Sequence, residues 1–325
     1  VGRRSEYSVS LYNFAVAGEK FVTQAVPTQS GFLPRMGRFL RKPWPEKIRA
    51  AGLFARSVFP NLPIPVRTHS GLWCLAWQND LGNHFLAGDF EEPEYAFVQR
   101  FLKPGMTVLD IGANEGYYTV LASKCVGPRG RVIGFEPSPR ERRHLQMNLR
   151  LNGCNNVRIE KLALGSAEGQ VNLHVVEGSE TGCNSLRPPD IKGKTRAVQV
   201  DVTTVDLFLH RNAIPPIDFI KMDIEGAELS ALQGAAKLLG TVPRPLLLIE
   251  IFEIRTRPWG YSARDLSKLI CEAGYLLHTV VGNGDLVPVD AAADFFDANF
   301  IAVPEERVSE ISNFLAAQET KYVRC

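Results

Sequence analysis

From residue 107 onward, short apolar runs alternate with longer stretches of helical period, and this alternation restricts the fold more than any other feature of the chain. The apolar runs are 107–111, 131–136, 157–163, 219–223 and 246–251; the helical stretches between them are 117–125, 139–152 and 227–239. Strands that are apolar on both faces and separated by helices belong to a parallel sheet with helices packed on either side. Two further runs, 170–176 and 197–202, read as extra strands around a loop at 177–196 rich in Gly, Ser and Pro. A long insertion near the C-terminal rim of a sheet is where acceptor specificity commonly resides, so 177–196 is expected to carry acceptor contacts. The pattern closes with a helix at 263–273, a strand at 275–281 and a strand at 299–303.

Upstream of residue 65 the pattern differs. Prolines at 43, 45, 60, 63 and 65 keep regular structure short there, and residues 1–60 hold ten Lys and Arg against three acids, whereas the remainder holds 27 against 32. Residues 1–64 therefore read as a basic N-terminal extension and 65–325 as the main domain. Basic residues interleaved with Phe32, Phe39, Trp44, Phe54 and Phe59 make contact with an anionic membrane surface through residues 1–60 one expectation. Packing of those aromatics on the main domain, with solvated charges, is the simpler one. The net acidic main domain makes nucleic acid an improbable partner. No run of eighteen apolar residues occurs, so the reading is cytoplasmic, with peripheral membrane attachment open. The six cysteines show no C-x-x-C spacing, which favours free thiols over zinc or disulfides.

At the end of the first run stands Asp110, followed by Gly112, Asn114 and Gly116 (VLDIGANEGYYT, 108–119). A glycine turn that feeds a helix lets the backbone approach a ligand and offers free N–H groups. The G-x-G-x-x-G spacing of a dinucleotide cradle is absent, and a carboxylate at this point would repel a pyrophosphate but can suit an ammonium group. Glu136 ends the next strand, twenty residues beyond Gly116, where an acid binds ribose hydroxyls. At the third strand end the sequence is Lys161-Leu162-Ala163, with no carboxylate, so backbone groups of Leu162 and Ala163 would have to contact the base of a nucleoside.

The stretch DFIKMDIEGAE (218–228) delivers Asp223 to a strand end, beside Lys221 on the same strand face and Glu225 in the turn. The adjacent strand brings Glu250 and then Glu253 to the same rim. Carboxylates converging there can bind a divalent cation or take a hydroxyl proton as general base. His174 and His210, which flank the insertion, are further candidates for the base.

Taken with VIGFEPSP (132–139), the Ala163-Leu164-Gly165 step, LLIEIFE (247–253) and NFIAVP (299–304), these stretches resemble the FkbM family of S-adenosylmethionine-dependent methyltransferases over roughly 90–304. The most specific element is Lys-x-Asp-Ile-Glu-Gly-Ala-Glu. The resemblance implies a class I methyltransferase (Rossmann-like) fold, a mostly parallel seven-stranded sheet whose last strand is antiparallel. It implies O-methylation of a hydroxyl on a sugar or specialised metabolite. It also implies that Asp110, Gly112, Asn114 and Gly116 line the methionine part of S-adenosylmethionine, that Glu136 binds its ribose, and that Asp223 lies near the transferred methyl group. Of the rim acids, Asp223 is the preferred base or metal ligand, with Glu250 in support. Two competing readings are an NAD-type oxidoreductase and a non-catalytic binding module that uses the basic arm.

Overall fold

The structure is a computed structural model that describes residues 62–315, apart from 69, 179, 190, 192 and 291–295, together with Gly52. The chain divides between Ile48 and Arg49, and every described residue belongs to the second unit. The basic arm at 1–60, with its expected membrane contact, lies outside the described residues apart from Gly52, as does Cys325. Among the described residues no helix is long and apolar enough to cross a membrane.

The strands, in chain order, are β1 (Ile64–Arg67), β2 (Trp73–Ala76), β3 (Thr107–Ile111), β4 (Arg131–Phe135), β5 (Val157–Glu160), β6 (Ala163–Leu164) and β7 (Gly169–Glu177). They continue with β8 (Lys194–Thr203), β9 (Phe219–Met222), β10 (Leu246–Phe252), β11 (Tyr275–Val281), β12 (Asp285–Pro288) and β13 (Asp297–Pro304). The main sheet runs β12-β11-β13-β10-β9-β3-β4-β5. Strands β5, β4, β3, β9 and β10 are mutually parallel, while β13 is antiparallel to both β10 and β11. The expected seven-stranded sheet with an antiparallel last strand is thus present. An eighth strand, β12, extends it because the turn at 282–284 folds the chain back as a hairpin on the edge strand β11.

Every residue of β3 is buried, and the alternation of its side chains divides the core in two. Val108, Val132, Phe219, Leu246 and Leu248 pack beneath the helices Glu92–Phe101 and Tyr117–Val126. Leu109, Ile111, Ile133, Ile220, Met222 and Ile249 pack on the opposite face against Ala231, Leu232, Leu266 and Ile270. Two apolar faces per strand explain why these segments read as continuous apolar runs rather than alternating ones.

Three elements differ from the sequence reading. The run 157–163 breaks after Glu160, and its last residue begins β6, which pairs with β8 in a separate sheet ordered β6-β8-β7. The helical stretch 227–239 divides into Glu228–Gln233 and Ala236–Leu239 around Gly234, where an added Cβ would meet the Gly165 carbonyl oxygen at 2.1 Å. The extra strands are longer than expected: β7 and β8 form an antiparallel hairpin in register from Gly169↔Val202 to Glu177↔Lys194. One face of it is buried through Leu173, Val175 and Val200 against Ala163.

Candidate active site

The sheet changes direction between β3 and β9: the chain proceeds from β3 outward to β4 and β5, then returns to β9 and β10. Loops diverge at the C-terminal ends of strands at such a switch point and leave a crevice. A cleft of about 630 Å³, including its open mouth, lies there. Its floor crosses four strand ends in turn, from Asp223 to Gly112 and Asn114, then Glu136, then Leu162 and Ala163. The sequence-predicted residues at these positions, dispersed over 112 positions of the chain, are therefore brought to one wall.

Gly112 has φ +84°, and a Cβ there would lie 1.9 Å from the Asp223 carbonyl oxygen. This close approach joins the first glycine turn to the end of β9, and it admits only glycine. Asn114 also sits at positive φ and donates its backbone N–H to Glu136 Oε2 at 2.8 Å, while its own buried Oδ1 has no hydrogen-bond partner. Glu136 Oε1 accepts the Ser138 N–H at 2.8 Å. Burial, with Glu141 adding repulsion, pushes the Glu136 carboxyl up to about 8 although both N–H bonds oppose the shift.

Two predicted cofactor residues do not line the cleft. Gly116 packs on the helix Pro139–Leu151, where an added Cβ would meet Leu145 Cδ1 at 2.3 Å. Asp110 is 1% exposed beneath the glycine turn and accepts the Thr119 hydroxyl, while its Oδ1 has no hydrogen-bond partner. It stands opposite Lys221 in the β3–β9 register, on the face covered by Tyr118 and Thr119. Burial raises the Asp110 pKa and the Lys221 ammonium partly offsets the rise.

Lys221 joins the two parts of the site. Its Nζ donates to Asp223 Oδ2 at 3.0 Å and to the Gly112 carbonyl at 3.4 Å, and lies 5.5 Å from the Tyr118 ring centroid. Burial opposes its charge, but Asp223, Asp110 and Glu91 outweigh burial and hold the ammonium above its ordinary range. Beside this pair, carboxylate oxygens of Asp223, Glu225 and Glu250 lie within 4.8 Å of one another.

The third member of that cluster is Glu225, not Glu253. Glu225 adopts φ 55° in the turn before Gly226, and the turn aims its carboxylate back at the rim. Glu253 instead accepts the Ala263 N–H at 2.7 Å and pairs with Arg257. Arg255 Nε approaches Glu225 Oε2 to 2.8 Å as an ion pair without hydrogen-bond alignment. Burial lifts Glu225 to about 8 against the pull of Arg255. Glu250 Oε2 is buried and has no hydrogen-bond partner. Burial, then repulsion from Asp223 and Glu225, holds Glu250 well above the usual carboxylate range. His174 and His210 do not line the cleft; the first pairs through its backbone with Ser185, and the second lies in the last turn of the helix Val205–Arg211.

Sequence reasoning missed Arg255, whose only local signal is a cation five residues past the strand-end acid Glu250. It also missed Asn79, whose Nδ2 donates to Glu115 Oε1 at 2.8 Å and to Thr181 Oγ1 at 2.9 Å, fastening the insertion to the glycine turn. The insertion itself is not confined to an acceptor side. Gly182, Asn184 and Leu186 line the same cleft as Gly112 and Glu136.

Residues 110–277, from the end of β3 to the start of β11, match the profile of the methyltransferase FkbM domain. The chain belongs to the FkbM methyltransferase family. It is 23% identical over 153 residues to the 2-O-methyltransferase NoeI of Sinorhizobium fredii, covering 42% of this chain and 60% of that one. It is 24% identical over 164 residues to the hexuronic acid methyltransferase AglP of Haloferax volcanii, covering 50% and 61%. The chain thus spans about three fifths of the length of these two curated relatives. Among solved structures, an O-methyltransferase from Bacillus cereus in complex with SAH aligns over 84% of this chain and 96% of that one, at 14% identity and a TM-score of 0.41. That likeness is too loose to add to the topology already described.

Proposed function

We propose that this FkbM-family chain is an S-adenosylmethionine-dependent O-methyltransferase that acts on a hydroxyl of a sugar or a specialised metabolite. The observation that carries the reading is the position of Asp223. It lines one cleft with Gly112, Asn114 and Glu136, and its side chain keeps 31% of its surface exposed while Lys221 holds one oxygen. When bound, S-adenosylmethionine supplies a methyl group already activated by a cationic sulfur. The unpartnered Asn114 Oδ1, the Glu136 carboxylate and the apolar wall beyond it fit that cofactor's polar and apolar parts. Asp223 then takes the acceptor hydroxyl proton as general base. Glu250, whose pKa is raised by burial and then by the like charges of Asp223 and Glu225, lies beside Asp223 in the acidic cluster and supports it there.

A divalent cation fits the acidic cluster poorly, although the oxygen spacing would allow one. Lys221 already pairs with Asp223 and Arg255 with Glu225, so an incoming ion would have to displace two internal cations. O-methylation accords with the name of NoeI, and a sugar acceptor with that of AglP.

The test is isothermal titration with S-adenosylmethionine and, separately, NAD, followed by transfer of a labelled methyl group to a panel of monosaccharides and hydroxylated metabolites. The expected result is binding of S-adenosylmethionine alone and an O-methylated product. Binding of NAD, or folded protein that binds neither, would overturn the proposal.

A further inference from the structure

The cleft has an apolar end that the β-sheet does not complete. Beyond Glu136 it is walled by Phe135, Leu162, Leu164 and Leu173. The remaining wall comes from the tip of the β7–β8 hairpin, through Asn184 and Leu186. Leu186 packs against the buried cluster of Ala163, Leu173, Val175 and Val200, which places it at this end of the cleft. β5 ends at Glu160, which pairs with Arg158 and does not line the cleft, and the segment after it is Lys161-Leu162-Ala163, so this strand end offers no side-chain acid to a purine edge.

The hairpin tip is fixed to its surroundings at both ends of the cleft. Ser185 Oγ donates to the Glu225 carbonyl at 2.9 Å, Thr181 accepts from Asn79 at 2.9 Å, and Arg140 Nη1 donates to the Val176 carbonyl at 2.8 Å. Asn184 Oδ1 accepts the Val176 N–H at 2.8 Å, which orients the amide and leaves its Nδ2 hydrogens as donors. An aromatic base needs apolar contact on its faces and complementary groups on its edge. Adenine presents an acceptor at N1, which matches an amide donor; hypoxanthine presents N1–H, which does not.

Resting on the S-adenosylmethionine reading, we infer that the hairpin tip is the far wall of the cofactor site, with Leu186 covering the purine face and Asn184 Nδ2 donating to adenine N1. The insertion then serves cofactor selection and not the acceptor alone. A hairpin sequence far from the glycine turn supplies the polar contact that the third strand end lacks.

The experiment titrates S-adenosylhomocysteine and S-inosylhomocysteine into the full chain and into Asn184→Asp. The aspartate keeps the oxygen that accepts the Val176 N–H but replaces the donor with an acceptor. The wild type is expected to prefer the adenosyl ligand by roughly tenfold or more, and Asn184→Asp to lose or invert that preference. Leu186→Ala is expected to weaken both ligands by a similar factor, about tenfold, because it removes apolar cover without changing the edge. Unchanged discrimination in folded Asn184→Asp, with the wild type still binding S-adenosylhomocysteine, overturns this inference alone. A wild type that binds neither ligand overturns the methyltransferase reading and this inference with it.

Discussion

The two halves of the cleft solve the problem of burying polar groups in opposite ways. On the β3–β4 side, Glu136 has one carboxylate whose two oxygens are each met by a backbone N–H. On the β9–β10 side, Asp223, Glu225 and Glu250 crowd together and share Lys221 and Arg255. The first arrangement is a shape, held by backbone and glycine. The second is an excess of charge, held against burial by two cations, and such crowding is costly unless the groups are used. One side is therefore suited to recognising a fixed ligand, and the other to moving a proton.

The largest effect is expected where the halves touch. Gly112→Ala would drive a Cβ into the Asp223 carbonyl, and urea unfolding should show a loss on the order of 3 kcal/mol, accompanied by loss of cofactor binding. Asp223→Asn should lower methyl transfer about 100-fold or more while S-adenosylmethionine affinity stays within about threefold, as steady-state kinetics and calorimetry would show. An equal loss of cofactor affinity would erase the distinction between the halves. Glu136→Ala should do the reverse in calorimetry, weakening the cofactor by about tenfold.

A smaller effect is expected in the pH dependence of stability. Burial and like charges raise the Glu250 pKa in the folded state, so the native protein holds that proton more tightly than the unfolded chain. The stability this proton contributes is complete below the unfolded carboxylate pKa and is lost as pH rises through the folded one. Glu250→Gln removes that loss. Thermal unfolding should show little gain at pH 5 and a gain of roughly 3–6 °C at pH 8. The smallest effect concerns metal: chelation with EDTA should leave transfer within about twofold, because Lys221 and Arg255 already serve as counter-ions, whereas a tenfold loss restored by Mg²⁺ would reassign the acidic side to a cation.

Much of the recognition half is legible from local signals. Gly112, Asn114 and Glu136 lie within 25 residues, two in the turn after β3 and one at the end of β4, and turn stereochemistry is a property of neighbours in the chain. Gly116 shares that glycine spacing yet packs against Leu145, which no nearby residue reveals. The charged half is less legible. Glu253 and Glu225 both stand close to a strand end, and only the turn at Glu225-Gly226 and the helix start at Ala263 decide which carboxylate faces the rim.

Local sequence fixes the alternation of strands and helices, the glycine turn and the acids at the ends of β4, β9 and β10. These are set by side-chain period and backbone freedom, which act over a few residues. Long-range packing is what sets Lys221 opposite Asp110 in the β3–β9 register, pairs Arg255 with Glu225, and brings Asn184 and Leu186 to the apolar end of the cleft. Those meetings join residues 30 to 111 positions apart. They follow from sheet order, register and the path of a hairpin, which are settled by packing of the whole core rather than by any local stretch.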